Sequence, residues 1–160
     1  HIREIWGSHV ILRTAWLYGP GGNNFVRTML RLFGAREEVR VVADQWGNPT
    51  LAGDLADAII EIITRETVPY GTYHFTNEGR TNWFEFAREI HDQAMRKGLL
   101  EKAVRIAPIQ TEQYPTRARR PANSCLSKEK IREAYGISVR PWREALADCI
   151  GQIEKETGSA

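Results

Sequence analysis

The run Val10-Ile11-Leu12-Arg13-Thr14-Ala15-Trp16-Leu17-Tyr18, closed by Gly19-Pro20-Gly21-Gly22, constrains the fold more than any other stretch of the chain. β-Branched, aliphatic and aromatic residues in unbroken succession predict a buried strand, and the glycine and proline cluster ends it in a turn. Asn24 then predicts a helix cap, the apolar positions Phe25, Met29, Leu30 and Phe33 recur at helical spacing, and Gly34 is placed to supply a left-handed stop. A strand, a glycine loop and a helix in direct succession form one unit of an α/β fold.

The alternation continues. A short strand is expected over 39–42, followed by Asp44-Gln45-Trp46-Gly47-Asn48-Pro49, where Asn48 is pushed out of the helical region by Pro49. A helix around Leu55, Ala58, Ile59, Ile62 and Ile63 precedes a strand over 72–75, and Asn82 with Glu85 resembles a capping box opening a helix along Phe86, Ala87, Ile90 and Ala94. A further strand is expected over 104–109. Ser127 predicts the cap of a helix ending at Gly136, and Pro141 the first position of a last helix through Trp142, Ala145, Leu146, Cys149 and Ile153. No internal repeat is visible.

The 160 residues are 42% hydrophobic and 26% charged, values of an ordinary globular chain and enough for one domain or part of one. No apolar run approaches the ~20 residues of a membrane span, and residues 1–9 lack the apolar core of a signal peptide, so a soluble, cytoplasmic protein is expected. Cys125 and Cys149 read as reduced thiols. A net charge of +2 is too small to point to nucleic acid. Residues 2–5 open without a cap or turn and the strand pattern begins by Val10, so the chain reads as starting mid-fold.

Several chemistries fail on the residues. A Gly-x-Gly-x-x-Gly count from Gly19 places Asn24 where the third glycine belongs, and no Gly-Lys-Ser/Thr occurs, so neither a dinucleotide fingerprint nor a Walker loop is present. His1, His9, His74 and His91 are scattered without metal-ligand spacing, and neither cysteine has an activating neighbour. The segment 113–124 is different: Arg117, Arg119 and Arg120 lie between Pro115 and Pro121, with no acidic residue from 113 to 128. An extended, proline-stiffened loop of guanidinium groups is suited to a compact diphosphate, or else is simply a solvated loop. Trp16 stands where open α/β sheets present groups to ligands, although a core role fits it too. Gln45 and Asn48 offer amides that can read hydroxyls or cap their own loop.

Five ordered blocks carry a resemblance: Arg-Thr-Ala-Trp-Leu-Tyr-Gly at 13–19, Asn-Asn-Phe-Val-Arg-Thr-Met-Leu at 23–30, Val-Val-Ala-Asp-Gln-Trp-Gly-Asn-Pro-Thr at 41–50, Tyr-Gly-Thr-Tyr-His-Phe-Thr-Asn at 70–77 and Arg-Arg-Pro-Ala-Asn-Ser-Cys-Leu at 119–126. Together they resemble the C-terminal half of the dTDP-4-dehydrorhamnose reductase family, extended short-chain dehydrogenases/reductases. The resemblance implies a Rossmann-type α/β reductase in which an N-terminal domain binds NAD(P)H and a C-terminal region, here residues 1–160, binds the dTDP-sugar whose C4 ketone is reduced. It implies substrate contacts for Trp16, stacked on the sugar nucleotide, and for Asn24, Gln45, Arg119 and Arg120, with the arginines on the diphosphate. It also implies a Tyr-x-x-x-Lys dyad, which this sequence lacks: the residues four past Tyr18, Tyr70, Tyr73, Tyr114 and Tyr135 are Gly22, His74, Asn77, Ala118 and Val139. The expectation is therefore a substrate-binding part that is inactive alone and awaits its Rossmann domain, without nucleic-acid or membrane partners and with apolar surface that favours a homo-oligomer. The rival expectation is a non-catalytic regulatory subunit of the same fold, like that of methionine adenosyltransferase.

Overall fold

The computed structural model describes residues 1–116 and 120–158. A single turn of helix α1 (Ile2–Ile5) leads into β1 (Val10–Arg13) and β2 (Leu17–Tyr18). After them come α2 (Phe25–Ala35), β3 (Glu38–Val42), β4 (Trp46–Gly47), β5 (Thr50–Leu51) and α3 (Ala52–Ile63). The chain continues through β6 (Gly71–His74), β7 (Thr81–Asn82), α4 (Trp83–Arg96), β8 (Arg105–Ile109), α5 (Glu129–Tyr135) and α6 (Trp142–Gly158).

The strands pair two by two. β1–β6, β2–β5 and β3–β8 are parallel, as crossover through intervening helices requires, and β4–β7 is antiparallel. The larger core lies where α4 packs on α2, α6, β3 and β8. It is filled by Phe86, Ile90 and Ala94 on one stripe of α4, Val26, Met29 and Phe33 on α2, and Leu146, Ile150 and Ile153 on α6. Those i, i+3, i+4 and i+7 spacings are the physical origin of the helix faces. A smaller core joins Ala58 and Ile62 of α3 to Tyr73, Phe75, Ile131, Tyr135 and Ile137. A polar clamp ties α3 to the start and body of α6. Arg140 grips Asp54 with Nε and Nη2 at 2.9 and 2.7 Å and also reaches Asp148, while Asn77 accepts from the Leu51 amide at 2.8 Å and donates to Asp54 at 2.5 Å.

The expected caps of α2 and α4 form: Asn24 accepts from the Arg27 amide and Asn82 from the Glu85 amide. Gly136 ends α5 in the left-handed region at φ 65°. Four expectations change, the slightest being that α6 begins at Trp142 while Pro141, expected as its first position, bridges Glu78 just before it. The strand read over 10–18 is broken: Thr14 to Trp16 leave the ladder, β1 pairs with β6 and β2 with β5. Gly34 does not stop α2, which continues to Ala35 and ends at an extended Arg36 with φ −134°. Ser127 sits one residue before the cap position, held by Lys128, and its hydroxyl accepts from the Glu129 amide at 3.3 Å.

Apolar surface remains in view. Ile59, Ile60 and Ile63 line the outer side of α3, and Ile2, Ile5, Trp6 and Leu17 are exposed near β1 and β2. Among the described residues no helix is long and apolar enough to cross a membrane.

Candidate functional site

The break in the first strand is where the site begins. Trp16 adopts φ 49°, and it is the one non-glycine residue with positive φ among those described. A bulky side chain in that region costs on the order of 1–3 kcal/mol, so its surroundings must hold it. The buried Thr50 does so: its hydroxyl donates to the Ala15 carbonyl at 2.7 Å, its amide donates to the Trp16 carbonyl at 3.1 Å, and the Thr14 hydroxyl donates to its Oγ1 at 3.2 Å. The positive φ turns the Trp16 side chain towards α4. There its indole stacks on Trp83 with ring centroids 3.5 Å apart and planes 9° from parallel.

The other face of the indole lies on Gly47. A Cβ at position 47 would fall 2.4 Å from Cε2 and 2.7 Å from both Cζ2 and Nε1 of Trp16. Both flanking atoms lie farther off than Cε2, which places that point above the ring, because a point in the plane between them would lie nearer to both. It cannot be on the Trp83 side, because a ring stacked at 3.5 Å would then overlap it. Behind the pair, Phe25 lies 4.5 Å from Trp83, and Phe86 touches Trp16, Trp83, Phe25, Tyr18 and Trp142 through ring contacts of 5.5–6.5 Å.

A cleft of about 350 Å³ opens beside this stack, lined by Ala15, Trp16, Gln45, Trp83, Arg120, Pro121 and Ser124. Its far wall is the loop after the arginines, and long-range hydrogen bonds fix that wall. Residue Asn123 bridges Trp46 in parallel fashion, the Ser124 amide and hydroxyl both donate to the Trp46 carbonyl at 2.8 and 3.0 Å, and the Leu126 amide donates to Asn48 at 2.9 Å. Gln45 is held by donation from Nε2 to the Thr111 hydroxyl at 3.1 Å. That hydroxyl donates at 2.8 Å to Asp44, which also accepts from the Thr111 amide. Partial burial works against the Asp44 charge, but these two bonds outweigh it and hold the carboxyl below its ordinary range.

Of the residues expected at a site, Trp16, Gln45 and Arg120 come together in this cleft. Arg119 lies outside the described residues. Asn24 is elsewhere: besides capping α2 it donates to the Gly19 and Gly21 carbonyls, both at 3.0 Å, and so closes the glycine loop on itself. Asn48, donating to the Gly79 carbonyl at 2.7 Å and accepting from the Leu126 amide, is consumed in tying two distant segments to its loop. Trp16, expected to stack on a ligand, already has one ring face on Trp83 and the Cε2 region of the other against Gly47, and it borders the cleft with what remains. Gly47, Thr50 and Ser124 lie inside the resemblance blocks without a role there, and Trp83 lies outside them, since each acquires its role from a partner more than 30 positions away.

Other chemistry is sparse. No group of His, Cys, Asp and Glu among the described residues is arranged to hold a metal ion. Cys149 is fully buried in the larger core, and burial pushes its thiol up to about 12, far from a reactive thiolate.

Comparison with known proteins agrees with this geometry. Residues 1–155 match the RmlD substrate binding domain. The chain is 50% identical over 141 residues to a dTDP-4-dehydrorhamnose reductase of Aggregatibacter actinomycetemcomitans, covering 86% of this chain and 48% of that protein. It is 47% identical over 147 residues to the spore coat polysaccharide biosynthesis protein SpsK of Bacillus subtilis, covering 92% and 48%. Among solved structures, a dTDP-4-dehydrorhamnose reductase from Bacillus anthracis in complex with NADP superposes with a TM-score of 0.83 at 39% identity, over 94% of this chain and 50% of that one. The corresponding protein of Clostridium acetobutylicum superposes at 0.86 and 37%, over 96% and 51%. The chain thus spans about half the length of the curated relatives it matches. The α/β pairing, the fixed cleft beside β4 and a match that runs almost the whole length of the chain lead to one assignment: the chain belongs to the RmlD substrate-binding domain family.

Proposed function

We propose that this chain forms the sugar-nucleotide-binding part of a dTDP-4-dehydrorhamnose reductase, which reduces the C4 ketone of dTDP-4-dehydro-L-rhamnose to dTDP-L-rhamnose with NAD(P)H. The observation that carries the reading is the convergence of Trp16, Gln45, Trp83, Arg120 and Ser124 on one cleft within a substrate-binding-domain match. Each wall has a use for such a ligand. Arg120, exposed at the lip, brings a planar fork that bonds phosphoryl oxygens in pairs. Gln45, its amide nitrogen already committed to Thr111, offers Oε1 to a sugar hydroxyl. The indole edge and the Trp83 ring give the sugar or base an apolar wall.

The glycine loop at 19–22, away from the cleft, does not fit a nicotinamide dinucleotide. Asn24 replaces the third glycine, and its side chain closes the glycine loop rather than leaving room for a pyrophosphate. With no Tyr-x-x-x-Lys in the sequence, neither hydride delivery nor protonation of the developing alkoxide is derived from this chain. Its part is to bind and orient the ketosugar, which alone accounts for a large share of the barrier when the reacting atoms are brought within near-attack distance. We assign the remaining chemistry to the portion of the reductase that the match leaves uncovered. The half-buried parallel pair β1–β6 supports this, since parallel sheets are otherwise covered on both faces, as does the apolar row Ile59, Ile60 and Ile63. The reading carries a cytoplasmic setting, in which Cys125 and Cys149 stay as the free thiols they are in the structure.

Calorimetric titration of dTDP-rhamnose into the chain tests the proposal. Binding is expected, with affinity reduced about tenfold by Arg120→Ala through loss of one charge-assisted contact. The chain mixed with NADPH and the ketosugar nucleotide is expected to give no turnover. Absence of binding, or turnover by the chain alone, overturns the reading.

A further inference from the structure

We infer that Gly47 and Trp83 are positioning residues for the cleft, acting as the two jaws that hold the Trp16 indole edge-on to the ligand; the inference rests on the sugar-nucleotide reading above for what the ligand is, and on geometry alone for what the jaws do.

Three independent observations converge. The first is the stack: a 3.5 Å centroid distance with planes 9° apart brings Trp16 and Trp83 into full face contact, leaving no space for a third ring between them. The second is position 47, where any side chain would begin with a Cβ 2.4 Å from Cε2 of the indole, roughly 1 Å inside van der Waals contact. Gly47 has no positive φ, so the glycine is required by the indole rather than by its own backbone. The third is the backbone of Trp16 itself, held at φ 49° by Thr50, which fixes the direction in which the side chain leaves the chain. A strained backbone, a face-to-face stack and an excluded Cβ together over-determine one side-chain orientation, the arrangement expected where placement of a group matters more than its burial.

The elements carrying the jaws are tied together. Gly47 is opposite Thr81 and Trp46 opposite Asn82 in the antiparallel β4–β7 pair, and Asn82 caps α4 immediately before Trp83. One two-residue ladder therefore sets the spacing between the jaws. Arg80, stacked over the Trp46 ring at 4.3 Å, braces the same ladder from the side chain that alternates with Gly47. The ligand then meets an indole edge, with its N–H and polarised C–H groups, rather than a π-face. That suits hydroxyl and carbonyl oxygens of a sugar better than it suits stacking of a base.

A double-mutant cycle with Gly47→Ala and Trp16→Ala tests the inference, read by dTDP-rhamnose titration and by acrylamide quenching of tryptophan fluorescence. Gly47→Ala is expected to displace the indole, raising quenching and weakening binding about tenfold or more, and to change binding no further once Trp16 is already alanine. Trp83→Phe, which keeps a ring against the indole, is expected to retain most of the affinity, and Trp83→Ala to lose it. An unchanged quenching profile in Gly47→Ala overturns the inference, as does an equal loss of affinity with and without Trp16. If Gly47→Ala does not fold, Trp83→Phe and Trp83→Ala, each with and without Trp16, decide: equal affinities of the two variants, or an equal loss in Trp83→Ala whether or not Trp16 is present, overturn the inference. Should wild type fail to bind the sugar nucleotide while Gly47→Ala still frees the indole, the functional reading falls and the positioning geometry stands.

Discussion

Asn77 offers the sharpest measurement of how the fold is held. It is fully buried, and its side chain does two jobs at once: Oδ1 accepts the Leu51 amide at 2.8 Å at the start of α3, and Nδ2 donates to Asp54 at 2.5 Å, with the Arg140 carbonyl at 3.5 Å. Asn77→Ala strands the Leu51 N–H, in a residue only 4% exposed, where an unmet buried donor costs about 1–3 kcal/mol. It also removes a charge-assisted bond to Asp54, worth about 1.5–3 kcal/mol, although Asp54 keeps both nitrogens of Arg140 and so loses at the lower end of that range. The sum is about 2.5–4.5 kcal/mol. For a chain of this size that corresponds to a fall of roughly 5–15 °C in melting temperature. Urea denaturation followed by circular dichroism, with the denaturant slope checked for constancy, reads the change directly. A loss below about 1 kcal/mol refutes the reasoning, because it would mean that water replaces the side chain and that neither bond was out of solvent.

Two further expectations follow from other groups. Cys149, fully buried with its thiol pushed up to about 12, is expected to resist a disulfide-exchange reagent in the native chain and to react only on unfolding, whereas the half-buried Cys125 reacts at once; simultaneous labelling of both would contradict the packing of α6. Burial works against the charges of Asp44 and Glu78, but hydrogen bonds from Thr111 to the first, and from the Gly79 amide and Arg132 with nearby Lys128 to the second, hold both carboxyls below their ordinary values. A depressed folded value means the stabilisation is complete above the ordinary carboxylate range and is lost as pH falls through the folded value. Melting temperature should therefore hold down to about pH 5 and drop below it, with a shallower drop in Glu78→Gln; an unchanged slope in that variant would count against the Glu78 contacts.

What was legible in the sequence is what local physics decides. Asn24, Asn82 and Gly136 are read correctly because a cap or a left-handed stop is settled within four residues. The helix faces of α2, α4 and α6 are read correctly because their apolar periodicity matches the core they meet. The first strand is misread for the opposite reason. Nothing within residues 10–18 signals a break; it is made by Thr50, whose hydroxyl and amide take the carbonyls of Ala15 and Trp16 from 34 to 35 positions away. Gly34 is misread because its conformational freedom is permission and not instruction, and α2 passes through it. At the site, Trp16, Gln45 and Arg120 are legible through the motif blocks that hold them, and the structure brings them to one cleft. Asn24 lies in a block of the same resemblance yet spends its polar atoms on its own loop, a distinction that block resemblance cannot draw. Trp83 and Gly47 carry no local signal, since a tryptophan at a helix start and a glycine after a tryptophan are unremarkable until they are seen on opposite faces of one indole.

The contact between Gly47 and Trp16 also constrains the order in which this sequence can drift. With the indole in place, a change from glycine at 47 to any residue bearing a Cβ is closed as a single step, while a change at 16 to a smaller residue is open on steric grounds. Only after the ring has gone does position 47 become free to vary, and a chain that has taken both steps cannot regain the tryptophan without first restoring the glycine. Two residues separated by 31 positions thus behave as one locus, with a one-way gate between their states.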